Sequence, residues 1–150
     1  MRDEQGNLRD VQGKKKILLV DDDHIFHDIA YNILSDKYNV ITSTSGKEAL
    51  ILLVKHKPDL IFLDILMPEM DGWETFHKIR GISILHQAPI AFITSINESE
   101  GLEHAKRLGA IDYFTKPLVT DNFLKRIDKI MNSHVPKAGV GLSHKVFPEI

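Results

Sequence analysis

The residues best suited to chemistry in this chain each close a run of apolar residues. Leu60-Ile61-Phe62-Leu63 stops at Asp64, and a loop punctuated by Pro68, Asp71 and Gly72 follows at once. Ile17-Leu18-Leu19-Val20 stops at Asp21-Asp22-Asp23, Ile90-Ala91-Phe92-Ile93 at Thr94-Ser95, and Tyr113-Phe114 at Thr115-Lys116-Pro117. Short runs of apolar β-formers closed by turn residues read as buried strands. In an open parallel sheet the carboxyl ends of the strands share one edge, where ligands bind. Asp21, Asp22, Asp64, Thr94 and Lys116 would then meet in one pocket although they lie far apart in sequence. Singly, each has an ordinary use: Asp64 can start a turn, Thr94 can cap a strand end, and Lys116 can be a solvated surface lysine. Turn chemistry does not account for all of them at one edge.

Close carboxylates repel and resist full ionisation. A bound divalent cation removes that cost. Oxygen ligands without sulfur favour Mg²⁺, with Mn²⁺ as a substitute. A carboxylate can also act as a nucleophile and carry an aspartyl phosphate. Phosphoryl transfer then needs positioning and charge neutralisation more than covalent assistance. A cation and the Lys116 ammonium would supply positive charge, and the Thr94 hydroxyl a hydrogen-bond donor.

The remaining composition excludes several classes. The 150 residues suit one domain with a real core, and 43% apolar with 27% charged residues is ordinary for a soluble globular protein. The net charge of -2, from 19 basic and 21 acidic residues, gives no basic excess for nucleic acid. No polybasic run points to a membrane surface. The absence of cysteine rules out disulfides, zinc–thiolate sites and thiol catalysis, in keeping with a cytoplasmic protein. Residues 1–13 lack the apolar core of a signal peptide, and no apolar run approaches the length that spans a bilayer.

The elements that must position the pocket follow a rhythm. After the first strand, residues 24–36 read as a helix with Ile25, Ile29, Ile33 and Leu34 on its inner face. A strand over 38–44 precedes a helix with Ser45 as N-cap and Glu48 at capping-box spacing. Ala49, Leu50, Leu53 and Val54 form its apolar face, and Lys57-Pro58 stops it. The strand over 59–63 is followed by a helix over 73–80 with Trp73, Phe76 and Ile79 on one side. A connector over 81–88 leads to a strand over 89–93. Asn97 caps the next helix, which runs through Leu108 and stops at Gly109. A strand over 112–114 leads to a last helix, capped by Thr120 or Asp121 and ending near Asn132, with Phe123, Leu124, Ile127 and Ile130 inward. Strand then helix, five times, requires a parallel sheet covered on both faces by right-handed crossovers. Residues 14–132 are the folded domain. Residues 1–13 and 133–150 read as tails, the second too short for an output domain.

Four stretches, in order and spacing, carry a resemblance: Ile-Leu-Leu-Val-Asp-Asp-Asp (17–23), Leu-Asp-Ile-Leu-Met-Pro-Glu-Met-Asp-Gly (63–72), Phe-Ile-Thr-Ser (92–95) and Gly-Ala-Ile-Asp-Tyr-Phe-Thr-Lys-Pro-Leu (109–118). The chain resembles the receiver domain of two-component response regulators over about residues 15–132. The resemblance implies a doubly wound, flavodoxin-like (βα)5 fold with strand order 2-1-3-4-5. It implies that Asp64 accepts a phosphoryl group from a phosphohistidine on a sensor histidine kinase or phosphotransfer protein. Asp22 and Asp64 would ligate Mg²⁺, with Asp21 assisting through water and the Leu66 backbone carbonyl completing the protein ligands. Lys116 would pair with Asp64 and then with the phosphoryl oxygens. Thr94 would move to hydrogen-bond the phosphoryl group while Tyr113 turns inward. Small Ser95 leaves access, and the Lys116-Pro117 bond would be cis, as proline readily allows. The face built from the fourth helix, fifth strand and fifth helix (roughly residues 98–131) would change for a partner protein or a second receiver. Such a domain catalyses at most its own phosphorylation and dephosphorylation, and neither nucleic acid nor membrane is a direct partner.

Leu66 and Ile96 lie two residues beyond Asp64 and Thr94, at positions that tune dephosphorylation in the family. Both are apolar here, which implies slow loss of the phosphoryl group because neither side chain can orient water. His24 and His27 near the acidic pocket, Trp73, Met67 and Met70 read as packing or chance, and Val146-Phe147 as part of a loose tail. Two other readings use the same residues. Asp21-Asp22-Asp23 contains the Asp-x-Asp of haloacid-dehalogenase-type Mg²⁺ phosphatases, and the chain could be a receiver cut from a larger regulator.

Overall fold

The computed structural model describes residues 13–82, 88–96 and 99–133. Five strands, β1 (Lys16–Val20), β2 (Asn39–Ser43), β3 (Leu60–Leu63), β4 (Ile90–Thr94) and β5 (Asp112–Thr115), alternate with five helices. These are α1 (His24–Leu34), α2 (Gly46–His56), α3 (Gly72–Arg80), α4 (Ser99–Leu108) and α5 (Thr120–Asn132). The sheet is parallel throughout, in the order β2-β1-β3-β4-β5. The expected architecture is therefore the observed one.

Side chains of a strand alternate between faces, and here they divide into two cores. Ile17, Leu19, Leu60, Phe62, Ala91, Ile93 and Phe114 join α1 and α5 on one face. Leu18, Val20, Ile61, Leu63, Ile90, Phe92 and Tyr113 join α2, α3 and α4 on the other. Burial on both faces explains why these strands read as unbroken apolar runs. The register places Val20 beside Leu63 and Thr94 beside Thr115, so the residues that follow the strands gather at one edge.

Local signals fix most helix starts. The Ser45 hydroxyl accepts from the Glu48 amide at 3.1 Å, and the Glu48 carboxylate accepts from the Thr44 amide at 3.2 Å. Asp71 caps α3 by accepting from the Glu74 amide at 2.9 Å. Lys57, in the left-handed region at φ 49°, closes α2 just before Pro58.

Beyond shifts of about a residue at the ends of β2, β3, β4, β5 and α3, four details differ from the sequence reading. The N-cap of α5 is Val119, with no side-chain cap, so Thr120 and Asp121 lie inside the first turn. Asp121 still suits that position, because a carboxylate there faces the positive end of the helix dipole. α1 ends at Leu34, whose carbonyl takes the amides of Lys37 and Tyr38. Its inner stripe is Phe26, His27, Ala30 and Leu34, while Ile25 and Ile29 are exposed. The covered stripe is thus turned about one residue from the Ile25–Ile29 line, about 100° around the helix. Val54 of α2 is likewise exposed. The expected Asn97 cap lies outside the described residues, as do the tails apart from residues 13 and 133. Among the described residues no helix is long and apolar enough to cross a membrane.

Candidate functional site

Asp21, Asp22, Asp64 and Lys116 converge at the carboxyl edge of the sheet. Asp64 follows β3 and keeps its amide in the sheet, donating to the Val20 carbonyl at 2.9 Å. Asp21 follows β1 in the same way, its amide donating to the Ser43 carbonyl at 3.0 Å. Lys116 is brought in by β5, its amide donating to the Thr94 carbonyl at 2.8 Å. The backbone ladder therefore sets the spacing of the pocket before any side chain is placed.

One carboxylate oxygen from each of Asp21, Asp22 and Asp64 lies within 4.8 Å of the others. Asp21 and Asp64 are buried and Asp22 is exposed. The Lys116 ammonium donates to Asp21 Oδ2 at 2.6 Å and lies 3.6 Å from Asp64 Oδ2. Asp21 Oδ1 accepts from the Asp23 amide at 2.9 Å. Both Asp21 oxygens are thus engaged by protein, whereas Asp64 Oδ1 is buried with no hydrogen-bond partner. Burial and then the neighbouring Asp21 charge push the Asp64 carboxyl up to about 6, against the downward pull of Lys116, the Thr94 hydroxyl and the Ile65 amide. An all-oxygen donor set with an orphaned buried oxygen suits a hard divalent cation, whose charge would reverse that upward push. The cluster could hold a metal.

The other expected residues lie on β4 and β5 and in the loops that follow β3, β4 and β5. Thr94 is fully buried at the end of β4, its hydroxyl accepting from the Ile96 amide at 3.3 Å. Ser95 is exposed beside it, and Ile96 is half-buried. Leu66 points its side chain to solvent, 60% exposed. Tyr113 is turned inward, its hydroxyl donating to the Ile96 carbonyl at 2.9 Å. The Lys116-Pro117 peptide is cis. Met67 and Trp73 pack as expected, Trp73 against the rings of Phe92 at 4.7 Å and His104 at 4.4 Å.

Three contributions were not evident from the residue pattern. Phe26 of α1 lies under the Lys116 ammonium, 4.2 Å from ring centroid to nitrogen, a cation–π contact that helps hold the lysine over the acids. Asp23 is not a member of the cluster but the N-cap of α1, accepting from the Ile25 amide at 2.9 Å. Its position just before a helix was the available signal. Gly72 lets the start of α3 close on the loop after β3: a Cβ there would stand 2.2 Å from the Asp64 carbonyl oxygen. The Gly72 amide donates to the Ile65 carbonyl at 2.8 Å across that approach. The Asp71-Gly72 pair marked a turn, but only the fold shows which backbone it must approach.

The profile of the response regulator receiver domain family matches residues 17–128. The alkaline phosphatase synthesis transcriptional regulatory protein PhoP of Bacillus subtilis is 37% identical over 118 residues, 78% of this chain and 48% of that protein. The transcriptional regulatory protein CrdR of Helicobacter pylori is 34% identical over 120 residues, 79% of this chain and 56% of that protein. The chain spans about half the length of the curated relatives it matches. Among solved structures, the chemotaxis protein CheY4 of Vibrio cholerae superposes with a TM-score of 0.73 at 30% identity, covering 79% of this chain and 99% of that one. The BeF3-activated N-terminal receiver domain of RstA from Klebsiella pneumoniae gives 0.72 at 28% identity, covering 77% and 97%. With the fold, the acidic edge and these matches in agreement, the chain belongs to the response regulator receiver domain family of two-component systems.

Proposed function

We propose that the chain is a phosphorylation-switched signalling module in which Asp64 accepts a phosphoryl group from a phosphohistidine donor. The observation that carries this reading is the Asp64 carboxylate itself. It is buried at the sheet edge with one oxygen unpartnered, beside two further carboxylates and one ammonium. An Asp64 oxygen attacks phosphorus, the P–O bond forms, and the P–N bond to the donor imidazole breaks as that imidazole takes up a proton. Asp22 and Asp64 would hold Mg²⁺, with the Leu66 carbonyl as a further ligand and Asp21 assisting through water. Bound Mg²⁺ supplies charge neutralisation for the carboxylates and the phosphoryl oxygens. Lys116 releases Asp21 and pairs with a phosphoryl oxygen, Thr94 donates its hydroxyl to another, and exposed Ser95 leaves the approach open. Engagement of both Asp21 oxygens favours Asp64 over Asp21 as nucleophile, and so the signalling reading over a phosphatase.

The added charge favours the arrangement with Thr94 drawn to the phosphoryl group and Tyr113 inward. The face of α4, β5 and α5 then presents a changed surface to a partner protein or a second receiver. A sensor histidine kinase or phosphotransfer protein in the cytoplasm is the donor. With Leu66 and Ile96 apolar, no side chain at either position orients a hydrolytic water, and the phosphoryl group persists for minutes or longer.

Acetyl phosphate with Mg²⁺, read by intact mass, tests the reading. The expected result is gain of one phosphoryl group by the unmodified protein, none by Asp64→Ala, and none in EDTA. Equal phosphorylation of Asp64→Ala would sink it.

A further inference from the structure

Tyr113 occupies a slot that depends on a missing side chain. Its ring is 7% exposed and lies beside Phe92, with 6.5 Å between centroids, and its hydroxyl donates to the Ile96 carbonyl at 2.9 Å. That hydroxyl faces the first turns of α4, where residue 101 is glycine. A Cβ built on Gly101 would stand 2.8 Å from the Tyr113 oxygen, 3.6 Å from Tyr113 Cζ and 3.7 Å from Ile96 Cγ2. The first distance is closer than real Cβ contacts come, and the other two are ordinary contacts. The conflict is with the hydroxyl alone, so the ring without its oxygen would fit.

Glycine is costly inside a helix, because it loses more conformational freedom than alanine on folding. Gly101 does not have the positive φ that would demand glycine, unlike Gly109 at φ 90°. Its use must therefore be the absence of a side chain. The obstructed atom is the far end of a tyrosine, which yields by swinging its ring outward, at less cost than shifting backbone.

The geometry points to Gly101 as the positioning residue of the Tyr113 switch. By leaving out a side chain, it opens the inward site in which Tyr113 donates to Ile96. A Cβ at position 101 turns Tyr113 out and so opposes the phosphorylated arrangement. The location of Tyr113 stands on geometry alone, whereas its coupling to Asp64 rests on the phosphoryl-acceptor reading.

The test is aromatic NMR on tyrosine-labelled protein, with Tyr31 and Tyr38 as internal references, combined with titration of beryllofluoride in Mg²⁺ buffer. In the unmodified protein the Tyr113 ring should show proximity to Gly101 and Ile96. In Gly101→Ala the Ile96 proximity should be lost. Beryllofluoride affinity should fall about fivefold, as expected when the competent state is a smaller fraction of the population. Adding Gly101→Ala to Tyr113→Phe should change the affinity little, because no hydroxyl is left to obstruct. Retention of the inward ring in Gly101→Ala would overturn the proposal. So would an equal affinity loss in the Tyr113→Phe background, or a Tyr113 ring turned out with no change in affinity. If the unmodified protein does not bind beryllofluoride, the acceptor reading fails, and the ring position still decides the role of Gly101.

Discussion

Two acidic centres lie at opposite ends of β5, and they are built on opposite terms. At its start, Asp112 is fully buried and meets the guanidinium of Arg126 through both oxygens, Oδ1 to Nη2 and Oδ2 to Nε, the latter at 3.0 Å. Oδ1 also accepts from the Tyr113 amide at 2.7 Å, and Arg126 stacks over the Phe114 ring at 4.1 Å. Every charge there has a partner. Beyond the end of β5, Lys116 is shared between Asp21 and Asp64 while Asp22 stands close by. One ammonium faces three carboxylates, and a buried Asp64 oxygen is left over. Burial raises both Asp64 and Asp112, but only at Asp112 does a two-pronged cation answer it. A satisfied buried pair holds structure in place, whereas an unsatisfied one waits for a ligand.

The contrast is sharpest in substitution. Asp112→Ala leaves Arg126 facing a vacated site and should lower unfolding stability by about 3 kcal/mol, since breaking a buried pair strands the remaining charge. Asp64→Asn relieves repulsion and should leave stability unchanged or raise it. Urea unfolding of both variants in EDTA checks the opposite signs, and a comparable loss in the two would erase the distinction between the centres.

Metal should act on one centre alone. Mg²⁺ at about 100 times its dissociation constant should stabilise the protein by about 2.7 kcal/mol by mass action. Asp22→Asn should largely abolish the gain, and Asp112→Asn should retain it even if that variant starts less stable. Thermal unfolding with and without Mg²⁺ provides the measurement.

The pH dependence gives a smaller effect of defined sign. Asp64 binds its proton more tightly folded, at about 6, than at its ordinary value of 3.8. Its contribution to stability is therefore fully present below the unfolded value, about 3 kcal/mol in metal-free protein, and is lost as pH rises through 6, with about 2 kcal/mol of it going between pH 4 and 7. Mg²⁺ competes with that proton, so the stability gained from Mg²⁺ should grow over the same interval. Denaturation curves between pH 4 and 7 in EDTA should lose most of this slope in Asp64→Asn.

The smallest expected effect is on lifetime. Leu66→Asn places a hydrogen-bonding group beside Asp64 and should speed phosphoryl loss about tenfold, equivalent to about 1.4 kcal/mol in the barrier. The exposed position makes the stability change negligible. Following the decay by intact mass after removal of acetyl phosphate would show it, and decay of the unmodified protein within seconds would contradict the slow-hydrolysis reading.

Much of this was legible along the chain because strand ends are local. An apolar run buried on both faces, stopping at Asp21, Asp64 or Thr94, declares both the strand and its edge. The Ser45–Glu48 cap is equally plain in the sequence, because capping is settled within four residues. What the pattern missed involved a third party. Ile25 and Ile29 have helical spacing, but packing against the sheet and α5 covers the stripe of Phe26, Ala30 and Leu34 instead. Nothing near Phe26 in the sequence announces its role, which comes from Lys116 lying over it from beyond β5. The use of Gly101 depends on Tyr113, twelve residues away and brought against it only by the fold.

The sequence by itself therefore determined the order of strands and helices, the two-faced core and the kinds of chemical group brought to the edge. Those depend on periodicity and on turn chemistry, which act between near neighbours. The tertiary structure decided which Asp21 oxygens are engaged and which Asp64 oxygen is left over. It also decided that Lys116 lies nearer Asp21, and that the Tyr113 hydroxyl has room only because residue 101 has no side chain. These depend on several groups competing for one ammonium or one small space, and such competition exists only once distant segments have met.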